Sequence, residues 1–247
     1  MSALLVDIGN SRLKWAEHDG KLWRTGAAPL PGENNIAALL DRTWGKITPP
    51  QRVIVCSVSN PERLQGLEQW ARGRWKITAH IVRPQTEQLG VKNLYRRPEQ
   101  LGADRWAALI GARGLTRSAA CVVDAGTAVT VDALSASGEF LGGAIFPGLR
   151  LLRDSLARGT EAIAVTEGIA ADSVGRSTED AVAAGTLHGL AGAVERLIDN
   201  HRQALGEPME IFLTGGDAPQ LAALLRMKVT LIPDLVLKGL ARIADSL

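Results

Sequence analysis

The sequence predicts an α/β protein made of two domains of like fold, and three observations carry that expectation. Short apolar, β-branched runs alternate with stretches of helical periodicity. One supersecondary opening occurs twice, with Asp124 standing 117 residues after Asp7 and Gly126 equally far after Gly9. At 247 residues, 46% hydrophobic and 22% charged, the chain can fill one large core or two domains of about 100 to 150 residues. The duplicated opening selects two, at 1–117 and 118–247.

Taken in order, ALLVDIGNSRLKWAEHDGKLWRTG reads as an apolar run, a Gly-containing turn, an alternating run, a second turn at Asp19-Gly20 and a third short run. That is a meander of three strands. A helix is expected near Asn34 to Arg42, a strand in RVIVCSV (52–58), a helix opened by Asn60-Pro61 and running to about Arg72, and a strand from Ile77 to Val82. Pro84 and Pro98 punctuate a loop over 83–101. Trp106, Leu109, Ile110 and Arg113 then fall at helical spacing between Gly102 and Gly114. CVVDAGTAVTVDALSASGEFLGGAIF repeats the opening meander. Helices follow at about 147–158 and 177–204, then a strand from Glu210 to Thr214, a helix from Ala218, a short strand VTLI (229–232) and a closing helix from Asp234.

Composition narrows the function classes. There are 28 basic and 26 acidic side chains, yet residues 1–117 carry 18 and 10 while the remainder carries 10 and 16. A basic first half can attract an anionic ligand or bring two copies together, or it can be no more than the way solvated faces fell. No run of five like charges marks a nucleic-acid tail. Nowhere do 18 apolar residues follow one another, and the N-terminal run stops at Asp7, so neither a membrane span nor a signal peptide is expected. Cys56 and Cys121 lie inside apolar runs with no CxxC partner, which suits buried thiols in a reducing, cytoplasmic compartment. The four histidines show no metal spacing, and no P-loop, G-x-G-x-x-G or H-E-x-x-H motif occurs.

The chemistry-bearing segments are turns. In Asp7-Ile8-Gly9-Asn10-Ser11 a carboxylate at the end of a buried strand runs into a Gly-Asn-Ser turn. It sets an Mg²⁺-directed charge beside backbone N–H groups that can close on phosphate oxygens. Ser11 adds a hydroxyl, and Lys14 a point charge within reach of phosphate. A polar hairpin with a solvated lysine is the alternative. Asp124-Ala125-Gly126-Thr127-Ala128 supplies a second such turn, and two turns facing each other across a cleft would hold a triphosphate and its metal. Leu213-Thr214-Gly215-Gly216-Asp217 ends a strand in two glycines, which permits a base or ribose to approach the backbone.

Two Asp-x-Gly hairpins half a chain apart, followed by a Gly-Gly turn, resemble the acetate and sugar kinase, Hsp70 and actin superfamily, whose nucleotide cleft lies between two ribonuclease H-like domains. Gly102-Ala103-Asp104-Arg105, Asp124-Ala125-Gly126-Thr127-Ala128, Gly142-Gly143-Ala144-Ile145-Phe146-Pro147-Gly148 and Gly175-Arg176-Ser177-Thr178 stand in the order seen in type III pantothenate kinases. These motifs run from residue 7 to residue 217. The resemblance implies ATP-dependent phosphorylation of pantothenate at its primary hydroxyl, the first committed step toward coenzyme A, by a homodimer that needs a divalent metal and a monovalent cation.

Carried over by position, the resemblance makes Asp7, Ile8, Gly9, Asn10, Ser11, Arg12, Leu13 and Lys14 an ATP phosphate loop, with Asp7 directed at Mg²⁺, and Thr127 a further ATP contact. It makes Asp104 the base facing the pantothenate hydroxyl. Tyr95, Gly102, Ala103, Arg105 and Thr178 become substrate contacts, and Asp124 a ligand of K⁺ or ammonium. Two positions depart from the pattern: Ser11 stands where many members have Thr, and Arg97 where Asn or Asp is expected before Pro98.

Several of these residues have a structural alternative. Asp104 in the first turn of a helix could serve only to cap it, and the dipole there should depress its proton affinity, making it a weak base. Phosphoryl transfer through a loose transition state tolerates a weak base. Arg105 suits bidentate pairing with a carboxylate but could be a surface ion pair. Ser177 and Thr178 before Glu179 and Asp180 resemble a capping box. Tyr95, the only tyrosine, could pack on the surface. A metabolic kinase is the leading expectation. The alternatives are a non-catalytic regulatory protein of the Bvg accessory factor type and a kinase for another small hydroxy acid.

Overall fold

The computed structural model describes residues 2–30, 36–161, 163 and 172–247. In chain order the elements are β1 (Ala3–Ile8), β2 (Arg12–His18), β3 (Trp23–Pro29), α1 (Ile36–Trp44), β4 (Arg52–Ser57), α2 (Pro61–Trp75), β5 (His80–Ile81), β6 (Glu87–Gln88), β7 (Val91–Asn93), α3 (Ala103–Leu115), β8 (Ala119–Ala125), β9 (Ala128–Leu134), β10 (Glu139–Pro147), α4 (Leu149–Gly159), α5 (Thr178–Leu205), β11 (Met209–Thr214), α6 (Ala218–Ala222), β12 (Thr230–Leu231) and α7 (Leu235–Asp245). The expected helix start at Asn34 lies outside the described residues.

Two compact units result: Met1–Leu115 together with Leu235–Leu247, and Thr116–Asp234. In the first, the strand order is β3-β2-β1-β4-β5, with β2 antiparallel to β1 and β3, and β4 and β5 parallel to β1. In the second, β10-β9-β8-β11-β12 repeats that order and those directions. The duplicated meander is therefore the first half of a duplicated sheet.

Alternation sorts each strand's side chains. Leu4, Val6 and Ile8 of β1, with Leu13, Val53 and Val55, face one core against α1 and α2, where Leu39, Leu40, Trp44 and Leu67 complete it. Asp7 is thereby turned to the opposite face. In the second unit Cys121, Val123 and Ala125 of β8 pack with Leu187, Leu190, Val194 and Ile198 of α5, so Asp124 is likewise set on the other face.

Three elements differ from the sequence expectation. The closing helix α7 packs on α3 in the first unit, not in a domain of residues 118–247. Glycine makes that crossing: a methyl on Gly239 would run into the Ala107 carbonyl, and one on Gly111 would stand 2.6 Å from Leu235 O. The loop over 83–101 contains a hairpin, β6 with β7, that turns at Leu89-Gly90, where both φ values are positive (50° and 81°). Of the strand expected over 77–82, only His80–Ile81 forms β5, with Val82 N–H still donating to Val55 O on β4 at 2.8 Å.

Candidate active site

The first unit builds its site from the end of β1, the start of α3 and the loop between β7 and α3. Asp7 is opposite Lys14 across the β1–β2 hairpin and opposite Cys56 on β4. Of the loop residues, Ile8 and Leu13 are buried in the core, Gly9, Ser11 and Lys14 are half-buried, and Asn10 and Arg12 are exposed. The phosphate-directed reading thus falls on the tip of the turn, while Ile8 and Leu13 act as its anchors.

Asp7 is buried, and the Cys56 thiol donates to its Oδ1 at 3.6 Å. Burial, reinforced by the Asp7 and Asp104 carboxylates, holds the Cys56 thiol well above its ordinary pKa, so it stays protonated. Sequence reasoning missed Cys56 because an apolar run gives no hint of a carboxylate across the sheet.

Asp104 lies in the first turn of α3, whose first helical bond runs from Trp106 N–H to Gly102 O at 2.9 Å. Its Oδ1 accepts from Arg105 N at 2.7 Å. Burial raises the Asp104 pKa, and the Arg105 N–H, the Arg105 guanidinium and the Lys14 ammonium oppose that shift without reversing it. This corrects the expectation that the helix terminus would leave Asp104 a weakened base: desolvation outweighs the N–H groups. Ala103 beside it is buried and makes the start of the helix part of the core.

Arg105 is buried, its Nη1 donates to Tyr95 Oη at 2.9 Å, and its guanidinium carbon lies 5.7 Å from the Tyr95 ring centroid. A surface ion pair is therefore not its role. Asn93 shapes the loop that carries Tyr95: its Oδ1 accepts from Tyr95 N at 3.1 Å and its Nδ2 donates to Pro98 O at 3.2 Å. Arg97 points away into solvent and pairs with Glu99 at 2.9 Å, so its departure from the family pattern is absorbed locally.

The second unit repeats the turn one residue tighter: Gly9 N–H donates to Arg12 O at 3.0 Å, whereas Gly126 N–H donates to Ala128 O at 3.2 Å. Asp124, half-buried, is paired with Thr130 and Thr214. Gly148 N–H donates to Thr127 O at 3.0 Å, and a methyl on Gly148 would collide with the 126–127 backbone, which fixes Thr127 at the tip. The Gly-Gly turn closes over Asp124. Gly215 has φ +100°, and its missing methyl would stand 2.6 Å from Asp124 Oδ1 and against the Ala125 carbonyl. Asp217 N–H donates to Ala125 O at 3.0 Å. Burial raises the Asp217 pKa, partly offset by Arg153.

Thr178 is exposed as the first residue of α5, and Ser177 caps the helix, its Oγ accepting from Asp180 N at 3.0 Å. Capping thus falls to Ser177 and leaves the Thr178 hydroxyl unused by the cap. No group of three or more His, Cys, Asp or Glu side chains that could hold a metal occurs among the described residues. Mg²⁺ in general takes one or two carboxylates and completes its shell with water and nucleotide phosphates. The Asp124 carboxylate and the Ala125 carbonyl around Gly215 are hard oxygen donors.

Two α/β units of like sheet order, each with an acidic hairpin at the end of its central strand, have the fold found in acetate and sugar kinases. An acetate kinase from Porphyromonas gingivalis matches over 99% of both chains at 12% identity, with a TM-score of 0.53. The family model for type III pantothenate kinase matches residues 3–200. A type III pantothenate kinase from Nitrosococcus oceani is 38% identical over 98% of this chain and 93% of its own. One from Halorhodospira halophila is 42% identical over 96% and 95%. The chain belongs to the type III pantothenate kinase family.

Proposed function

We propose that this chain transfers the γ-phosphoryl group of ATP to the primary hydroxyl of pantothenate, giving 4′-phosphopantothenate, the first step toward coenzyme A. The proposal includes a cytoplasmic homodimer that uses a divalent metal with ATP and K⁺ or ammonium as monovalent cation. The observation that carries it is the placement of Asp104. Its carboxylate lies within electrostatic reach of Lys14 on the phosphate turn and one residue from the buried Arg105, all in one unit.

Each residue then has a task. The Asn10-Ser11 tip and Lys14 bind phosphate oxygens, and Thr127 is a further ATP contact. Arg105, oriented by Tyr95, pairs with the pantothenate carboxylate in the bidentate manner a guanidinium allows. Gly102 and Ala103 contact substrate at the start of α3, and Thr178 offers a hydroxyl. Asp104 accepts the proton of the attacking hydroxyl. Because its proton affinity is raised, it is a better base at neutral pH than an exposed aspartate. Asp7 would hold Mg²⁺, which when bound neutralises charge on the phosphate oxygens. Asp124 would hold the monovalent cation.

The test is ADP release by pure protein given ATP, Mg²⁺, K⁺ and pantothenate. Pantothenate-dependent release supports the proposal. Release only with another hydroxy acid reassigns the substrate, and no release with any acceptor supports a regulatory role and overturns the proposal.

A further inference from the structure

The carbonyl groups around the first hairpin turn are held by protein donors. Ile8 O accepts from Val58 N at 3.1 Å, Ser11 O from Leu30 N at 2.9 Å and Arg12 O from Gly9 N at 3.0 Å. Asn10 O accepts from Arg63 Nη1 at 3.1 Å. In a trans peptide the C=O and N–H point in opposite directions. Drawing Asn10 O toward α2 therefore turns Ser11 N–H away from α2.

Of these four donors three are backbone, and only Arg63 is a side chain. Its Nη1 also donates to Ser59 Oγ at 2.9 Å, which fixes the guanidinium between the flank of α2 and the turn. The helix start is itself held: Asn60 Oδ1 accepts from Glu62 N at 3.0 Å and Asn60 O from Arg63 N at 3.0 Å. Arg63 thus leaves a rigid helix end and reaches the one exposed residue of the turn between Gly9 and Ser11.

We propose that Arg63 is a positioning residue for the nucleotide, holding the Asn10–Ser11 peptide so that Ser11 N–H faces a phosphate oxygen. The inference rests on the reading of residues 7–14 as the ATP phosphate loop. Without Arg63 the peptide can rotate and present its carbonyl, which repels phosphate. The effect is a loss of nucleotide affinity rather than of turnover.

The test is calorimetric titration of the full chain with MgADP, beside steady-state kinetics in both substrates. Arg63→Met, which keeps the aliphatic stem, should weaken MgADP and raise the ATP KM about tenfold, the scale of a lost charged hydrogen bond. The pantothenate KM and kcat should stay within about threefold. Low-millimolar guanidinium should restore part of the affinity. Asn60→Ala removes the side-chain cap on the same helix end but leaves the Arg63 guanidinium in place, and should lower Tm while weakening MgADP far less than Arg63→Met does. MgADP affinity equal to wild type in Arg63→Met, or equal losses in Arg63→Met and Asn60→Ala, overturns the inference alone. Wild-type protein that binds no MgADP overturns the reading of the phosphate loop with it.

Discussion

Gly102 and Asp104 compete for one volume: a methyl group on Gly102 would stand 2.5 Å from Asp104 Oδ1 and 3.6 Å from Val58 Cγ1. The glycine is what allows the carboxylate its present rotamer. The Gly102 backbone does not lie among the positive-φ glycines, so alanine can adopt the same main chain and the collision is relieved by moving the carboxylate. Gly102→Ala should therefore lower kcat roughly 10- to 100-fold, the cost of an ångström-scale misplacement, with Tm nearly unchanged. Steady-state kinetics and thermal unfolding of one sample check this, and a large fall in Tm would show that Gly102 serves the fold.

Asp104 also makes a stability prediction. Burial raises its carboxyl pKa in the folded state above the ordinary value of 3.8. The folded protein therefore binds this proton more tightly than the unfolded chain, and Asp104 costs stability at every pH above its folded pKa. That cost fades as pH falls and disappears below the ordinary value, where both states are protonated. Asp104→Asn should raise Tm at neutral pH, with a gain that shrinks toward pH 3.8 and below. Unfolding measured across pH checks it; a variant that is less stable at pH 7 contradicts the sign.

The two glycines after β11 should separate fold from ligand approach. Gly215 holds φ +100° with Ala125 and Asp124 against its missing methyl, whereas a methyl on Gly216 meets nothing within 4 Å. Gly215→Ala should cost about 2 kcal/mol or more in stability. Gly216→Ala should leave stability intact and raise the ATP KM several-fold, because the side chain intrudes only where a nucleotide approaches. Denaturant unfolding and ATP titration of both variants distinguish the two, and Gly216→Ala with an unchanged ATP KM removes this turn from the nucleotide site.

The sheet architecture was legible because hydrophobic alternation and the Asp-x-Gly turns repeat, and a repeat in sequence is a repeat in register: Asp7 faces Lys14 and Cys56 as Asp124 faces Thr130 and Thr214. Placing α7 was not, because its amphipathic pattern says that it packs but not on what. The glycines at 111 and 239, inside helical patterns, were the available signal of a close crossing. The direction of the Asp104 pKa depended on its burial in the folded chain, a tertiary property. Cys56, Arg63 and Asn93 act through partners 49, 53 and 2 to 5 residues away. The first two are long-range pairs that no local motif announces.

In the proposed reaction the Asp104 carboxylate takes the proton of a pantothenate hydroxyl beside the phosphate turn. Turnover of Asp104→Asn, measured with MgADP affinity on the same preparation, tests it most directly. Pantothenate-dependent ADP formation should fall by about 10² or more, the scale of a lost general base, with MgADP binding nearly intact. Pantothenate phosphorylation at the wild-type rate by Asp104→Asn would contradict it.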